Sequence, residues 1–441
     1  MFEVIARNKH RYQVQCFSRA KRKRKANRQG VPCFLERMAK KRSQTRREVI
    51  VSEWKEYKLG EIITTNAKSI GKNYPFSRIS YLDTGSITCN KIDTLQEFNI
   101  DEAPSRAKRL VSEDDIVYSA VRPNQLHYGY IKNPQMNLVV STGFVTITCD
   151  QQKINPKYLY YSLTQSQTTE YLHSIAEAST SAYPSLKPSD IEALDILLPP
   201  LHEQKRIASI LSSLDDKIDL LTHQNRTLEA MAETLFRHYF NEKDNDDTIE
   251  QLICIQNGYA FKSQDFKETG ANGVVKIKNI SGGVINIDTT DYIDSQIADA
   301  IHPKFRISSG DILIAMTGAE IGKLGIIPST DKSLWLNQRV GLLAEKYKGA
   351  KYLAYLQLKS DFGQDYIENT ATGSAQPNIS GNGIEKCGFP KLSESDIIEY
   401  SYQIGELYDK VIFNLGQIST LVKLRNILLP KLMNGEIIVN G

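Results

Sequence analysis

Residues 203–239 read EQKRIASILSSLDDKIDLLTHQNRTLEAMAETLFRHY. Here Ile207, Leu211, Leu214, Ile218, Leu221, Asn225, Leu228, Ala232, Leu235 and Tyr239 follow one another at alternating spacings of four and three. That spacing returns a side chain to one stripe of a helix, and it predicts a seam that packs against a second helix. Pro199-Pro200 precedes the stretch, where a missing backbone N–H costs nothing. The polar, acidic residues 241–247 end it. Unbroken, such a helix is about 55–60 Å long at about 1.5 Å per residue.

The same seam recurs 193 residues later as Tyr400, Ile404, Leu407, Val411, Asn414, Ile418, Leu421, Arg425, Leu428 and Leu432. Asn225 and Asn414 are polar seam members, a device that fixes register at a cost in stability. The repeat extends upstream. Ala178-Ser179-Thr180-Ser181-Ala182-Tyr183-Pro184-Ser185-Leu186 aligns with Ala371-Thr372-Gly373-Ser374-Ala375-Gln376-Pro377-Asn378-Ile379, with four identities and Leu against Ile. Asp115-Ile116-Val117 resembles Asp311-Ile312-Leu313, with Gly129 and Gly325 each 14 residues further on, and Lys157-Tyr158-Leu159 resembles Lys351-Tyr352-Leu353. A long-period repeat of this kind reads as a duplicated unit: a globular part of about 150 residues, then a helix of about 40.

Within each globular part, residues 115–120, 143–148, 311–315 and 339–344 read as strands, while 157–169 and 351–359 read as short helices. The expected fold class is α+β. Two tandem domains are each followed by a long helix, and the helices pair as an antiparallel coiled coil with pseudo-twofold symmetry, because the chain must return. The expected divisions are 1–50, 51–200, 201–243, 244–394 and 395–441. A blander reading has the seams serving oligomerisation alone.

The chain has 441 residues, too many for one ordinary domain, and a normal apolar and charged content. Its formal net charge of +4 conceals an imbalance. Residues 1–50 hold 16 Lys and Arg against 3 Asp and Glu, leaving 39 basic and 48 acidic residues in the remainder. The basic segment, with Lys21-Arg22-Lys23-Arg24-Lys25, lacks apolar periodicity and reads as disordered. It is a nucleic-acid tail, a localisation signal or, our preferred reading, upstream sequence before a start at Val51. No apolar run is long enough to span a membrane and no signal peptide is evident, so a cytoplasmic protein is expected. Cys16, Cys33, Cys89, Cys149, Cys254 and Cys387 form no C-x-x-C pair, which argues against zinc and disulfides.

A specific resemblance lies at the centre. Leu197-Leu198-Pro199-Pro200-Leu201-His202-Glu203-Gln204-Lys205-Arg206-Ile207, with Leu214-Asp215-Asp216-Lys217-Ile218, resembles the central region of the specificity subunits of type I restriction–modification systems. Trp54 with Leu59-Gly60-Glu61-Ile62 resembles that family's start, and Leu429-Pro430-Lys431-Leu432-Met433-Asn434-Gly435-Glu436-Ile437 its end. At the second junction Ser395-Asp396-Ile397-Ile398-Glu399 lacks the Glu-Gln pair. The resemblance implies two target-recognition domains, each reading part of a split double-stranded DNA target, with the helices as spacer and as docking site for two modification subunits. Those partners use S-adenosylmethionine to methylate adenine, and restriction subunits use ATP and Mg. The chain itself does no chemistry and holds no cofactor. The alternatives are a coiled-coil scaffold and a stand-alone DNA-modifying protein.

The residues agree with a non-catalytic chain. Gly318-Ala319-Glu320-Ile321-Gly322-Lys323-Leu324 is one residue short of a phosphate-binding loop and lacks its Ser or Thr, so a turn is expected. Asn155-Pro156-Lys157-Tyr158 lacks the second Pro of amino-methyltransferase motifs and reads as a helix start. The histidines have no metal-ligand spacing, and His202, His223 and His238 lie off the seam. Base reading and phosphate contact call for Arg, Lys, amides and hydroxyls. The first-domain candidates are Arg106, Lys108 and Arg109, then Arg122, Asn124, Gln125 and His127, then Ser179, Thr180, Ser181 and Tyr183. Those of the second domain are Lys276, Lys278, Thr317, Lys323, Asn337, Gln338, Arg339, Thr372, Ser374, Gln376 and Asn378. The repeated Ala-x-x-Ser-Ala-x-Pro loop is the strongest of them, and a shared turn would explain its repetition equally well.

Overall fold

The computed structural model describes residues 53–178, 184–373, 376–437 and 439. The expectations for residues 1–50 and for Ser179, Thr180, Ser181, Tyr183 and Ser374 lie outside the described residues. The chain divides into Met1–Glu53 and Trp54–Gly441, and every described helix and strand belongs to the second unit.

Nine α-helices are described. The first domain holds α1 (Pro156–Leu163), α2 (Ser166–Glu177) and α3 (Pro188–Glu192), and α4 (Leu201–Phe240) follows it. The second holds α5 (Ser295–Ala300), α6 (Ala350–Lys359), α7 (Asp361–Thr370) and α8 (Gly381–Glu385), and α9 (Glu394–Met433) follows. The stretch 157–169, expected as one helix, is two. Thr164 Oγ1 donates to the Tyr160 carbonyl at 2.9 Å and closes α1, and Gln165 is extended before α2. The second domain repeats the corner at Ser360, whose hydroxyl accepts from the Gly363 N–H. Only glycine fits there, because a Cβ on Gly363 would lie 2.1 Å from the Gln357 carbonyl oxygen. Sequence periodicity did not reveal α7, because its buried residues amount to Gly363 and Ile367.

The strands form the same pattern twice. One first-domain sheet runs Gln96–Asn99, Arg78–Leu82, Leu138–Ser141, Ala107–Leu110, with its central pair parallel. Its counterpart runs Asp291–Ile293, Asn272–Val275, Ser333–Leu336, Arg306–Ile307, again with a parallel central pair. A second, antiparallel sheet in the first domain orders Ile63–Thr65, Phe144–Cys149, Ile116–Ser119 and Tyr128–Tyr130. In the second domain Ile253–Asn257, Val340–Glu345, Ile312–Ala315 and Leu324–Ile326 take those places, with two further short strands. An Asp present in both repeats locks the turn before the central strand: Asp115 accepts from Ser112 N and Asp311 from Ser308 N, each at 2.7 Å. Burial raises the Asp311 carboxyl above its usual range.

The long helices complete both cores. Ile207, Ala208 and Leu211 of α4, with Leu432 and Met433 of α9, are buried in the first domain's core. Ala232, Phe236 and Phe240 of α4, with Ile397, Ile404, Tyr408, Val411 and Ile412 of α9, are buried in the second's. Contacts between α4 and α9 run in opposite chain directions. Asp215 pairs with Arg425 at 2.8 Å, Asn225 accepts from Asn414 Nδ2 at 2.8 Å, and Tyr239 stacks on Tyr400 at 4.2 Å. Of the anticipated seam, Ile207, Leu211, Ile218, Leu221, Asn225, Ala232, Ile404, Val411, Asn414 and Leu432 are buried. Leu214, Leu228, Leu235, Tyr239, Tyr400, Leu407, Ile418, Leu421, Arg425 and Leu428 are half-buried. Phe236, Phe240 and Tyr408, off the seam, are buried against the second domain, the two phenylalanines on Phe389 and Tyr408 on Tyr352, and Phe240 also packs on Tyr400 of α9.

Candidate nucleic-acid interface

In each domain three backbone hydrogen bonds gather separate segments at one end of the antiparallel sheet. In the first, Ala120 N donates to Gly143 O at 2.8 Å, Leu186 N to Ala120 O at 2.7 Å, and Arg122 N to Pro184 O at 3.2 Å. In the second, Met316 N donates to Arg339 O at 3.1 Å, Ile379 N to Met316 O at 3.0 Å, and Gly318 N to Pro377 O at 2.8 Å. Val121 bridges Ser185 as Thr317 bridges Asn378. The recurring Pro of the repeated loop thus occupies an equivalent place in both domains, where its main-chain carbonyl anchors the loop's end beside the strand. The loop's central residues lie outside the described ones.

These pins bring candidates together. Arg122, Asn124 and Gln125 are exposed on the 3-10 turn Pro123–Gln125, against the end of the loop. Arg122 and Leu126, flanking that turn, both have positive φ, 46° and 59°. In the second domain Thr317, Arg339, Gln376 and Asn378 line one cavity of about 140 Å³. Asn337 and Gln338 stand on the turn leading into Arg339, and Thr372 bridges Asn378.

Other candidates are otherwise engaged. His127 is held by its Nδ1 against the Ile87 carbonyl at 2.6 Å. Lys276 and Lys278 both clasp Asp291, at 2.7 and 2.8 Å, and their charges hold that carboxyl below its ordinary range against a burial effect that acts the other way. Lys276 also sits over the Phe266 ring. Lys323 pairs with Glu320. Gly318 and Gly322, both with positive φ, form a turn between strands as expected, not a phosphate cradle. Asn155 caps α1, its side chain accepting from Tyr158 N at 3.0 Å.

Arg106, Lys108 and Arg109 lie on or beside the edge strand Ala107–Leu110, with the Arg106 carbonyl accepting from Thr142 N at 2.8 Å, next to the pinned Gly143. The first two are exposed. Arg109 is half-buried, its Nε has no hydrogen-bond partner, and desolvation lowers its guanidinium below the ordinary value. The strand registers place Arg306, opposite Trp335, where Leu110 stands opposite Val139, and Lys304 lies two residues before it on the 3-10 turn Pro303–Phe305. Sequence reasoning missed these two exposed cations, because the segments around them share too few residues to align; only the strand pairing relates them.

Comparison with known proteins adds the family. The sequence profile described as Type I restriction modification DNA specificity domain matches residues 51–230 and again 243–395. The chain belongs to this family. Its specificity domains make it the DNA-recognising component of such systems and not a catalytic one. It is 24% identical to the HindI specificity subunit of Haemophilus influenzae over 88% of this chain and 100% of that protein. It is 26% identical to the MjaIX specificity subunit of Methanocaldococcus jannaschii over 70% of this chain and 75% of that one. The solved S subunit of a type I system from M. genitalium has the same fold, with a TM-score of 0.56 at 16% identity, covering 86% of this chain and 96% of that one.

The central motif of the specificity domains has a visible purpose. Gln204, 1% exposed, accepts from Asn155 N at 2.8 Å and donates to Pro199 O at 2.9 Å and Lys153 O at 3.1 Å. It ties the start of α4 to the first domain. In the degenerate second junction Ile397 stands at the repeat-equivalent place and is buried by apolar contact instead. Among the described residues no His, Cys, Asp and Glu cluster could hold a metal, and no helix is long and apolar enough to cross a membrane.

Proposed function

We infer that this chain reads a bipartite double-stranded DNA target with an unread gap, for a type I restriction–modification complex. The observation that carries the reading is the pair of identically pinned domain ends, mounted at opposite ends of the 40-residue helices α4 and α9. Recognition domains occupy 51–200 and 244–394, and helices 201–243 and 395–441 form an antiparallel coiled coil with pseudo-twofold symmetry. The matched contacts Asp215–Arg425, Asn225–Asn414 and Tyr239–Tyr400 support that pairing. A rod of this length fixes the separation of two readers and therefore the gap between two half-sites. Two modification subunits, supplying S-adenosylmethionine, and restriction subunits, supplying ATP and Mg, dock on the chain in the cytoplasm. The chain itself carries no cofactor.

The body of the chain outside residues 1–50 is acidic, so DNA is held through local cations and through the partners, with affinity falling as salt rises. The test is a gel shift at raised salt with the assembled methyltransferase. Arg122→Ala weakens DNA binding and leaves partner assembly intact; loss of assembly with unchanged DNA affinity contradicts the placement of the interface.

A further inference from the structure

The two pinned ends share a backbone but exchange their cations. The hydrogen bonds identify two equivalent positions, 122 with 318 and 143 with 339. At the first the domains carry Arg122 and Gly318; at the second, Gly143 and Arg339. The exchange is reciprocal: arginine then glycine in one domain, glycine then arginine in the other.

Packing does not account for either arginine. Both residues 122 and 318 have positive φ, 46° and 80°, a conformation free to glycine and unfavourable for an L side chain. Nothing lies within 4 Å of a Cβ built on Gly318, so glycine there answers to the backbone and not to crowding. The first domain keeps an arginine in this conformation although its side chain is exposed and makes no ion pair among the described residues. A strained residue retained without a structural return points to function. At the second position a Cβ on Gly143 would approach Thr84 Cγ2 to 2.9 Å, which disfavours a long side chain in the first domain. Arg339 is exposed, also without an ion pair among the described residues, and lines the cavity with Thr317, Gln376 and Asn378.

We propose that Arg122 and Arg339 are the specificity-determining side chains of their domains, each reading the edge of a guanine in the major groove. This rests on the DNA-reading role inferred for the pinned ends. An arginine fork matches the O6 and N7 acceptors of guanine, and the amides Gln376 and Asn378 beside Arg339 match adenine. Arg122 follows the central strand Ile116–Ser119, whereas Arg339 precedes the neighbouring strand Val340–Glu345. The two guanines therefore fall at different places relative to their domains, and the half-sites are unlike sequences.

The test uses the full chain assembled with its methyltransferase on DNA libraries randomised in each half-site, with methylation as the readout. Arg122→Gly relaxes one G·C position in one half-site, about five- to 150-fold in discrimination, and leaves the other half-site and the gap unchanged. Arg339→Gly does the same in the opposite half-site. Arg122→Gly also relieves the positive φ, so a retained or raised melting temperature shows that the fold persists. Uniform weakening with an unchanged motif makes the arginines phosphate contacts and overturns the assignment, as does an unaltered motif at unaltered affinity. A continuous motif with the unmodified chain overturns the bipartite reading itself, and this assignment with it.

Discussion

The first domain is tied to the start of α4 by a glutamine of the helix itself, whereas at the start of α9 the polar ties come from the domain, where Gln251 donates to Pro390 O at 3.1 Å and accepts from Leu392 N at 3.0 Å. Gln204 makes three hydrogen bonds at its junction; Ile397, in the corresponding place, makes none through its side chain and is 3% exposed. The recognition ends differ in the same manner, with Arg122 and Gly143 in one domain against Gly318 and Arg339 in the other. In both comparisons the main-chain scaffold is common and the side chains have parted. A duplicated backbone held by its own hydrogen bonds leaves the side chains free to diverge, which a recognition protein with two different half-sites requires.

The comparison can be broken most forcefully at what the domains share. Leu221 is 2% exposed in the helix seam, and Leu221→Asp costs about 2–5 kcal/mol from the lost side chain alone, before the burial of a charge. Both domains then lose their fixed separation, and site-specific methylation falls sharply while each domain keeps its near-native circular dichroism. Next come the junctions. Ile397→Ala costs about 2–4 kcal/mol by leaving a cavity in the second domain's core. Gln204→Ala costs about 1–3 kcal/mol by stranding the half-buried Asn155 N–H and the Lys153 and Pro199 carbonyls. Hydrogen exchange locates the two effects: the first variant loosens the start of α9, the second loosens residues 153–158. Equal loosening at both junctions in either variant would contradict separate anchoring. The smallest effect is a gain. Arg122→Gly stabilises by about 1 kcal/mol, a rise of about 2–4 °C in the first domain's melting temperature.

Much of this was legible in the sequence. The heptad spacing located both long helices, and the 193-residue repeat located paired elements in both domains. It was legible because helix seams and loop prolines are carried by few, strongly constrained residues. The break at Thr164–Gln165 was not, since it depends on a back-bonded threonine and an extended glutamine within an otherwise helical run. Nor could composition distinguish Lys276 and Lys278, already paired with Asp291, from Arg122 and Arg339, which have no such partner among the described residues. Charge pairing across 13 residues or more, as between Lys278 and Asp291, follows from tertiary structure, not from local pattern.

The separation of the readers by the helix pair is the claim most open to a direct trial. One heptad inserted at matching levels of α4 and α9 lengthens each by about 10 Å, close to three base pairs of B-DNA. Motif mapping of the assembled methyltransferase then finds the same two half-sites with a gap wider by about three base pairs. An unchanged gap, or half-sites altered in sequence, would contradict the account.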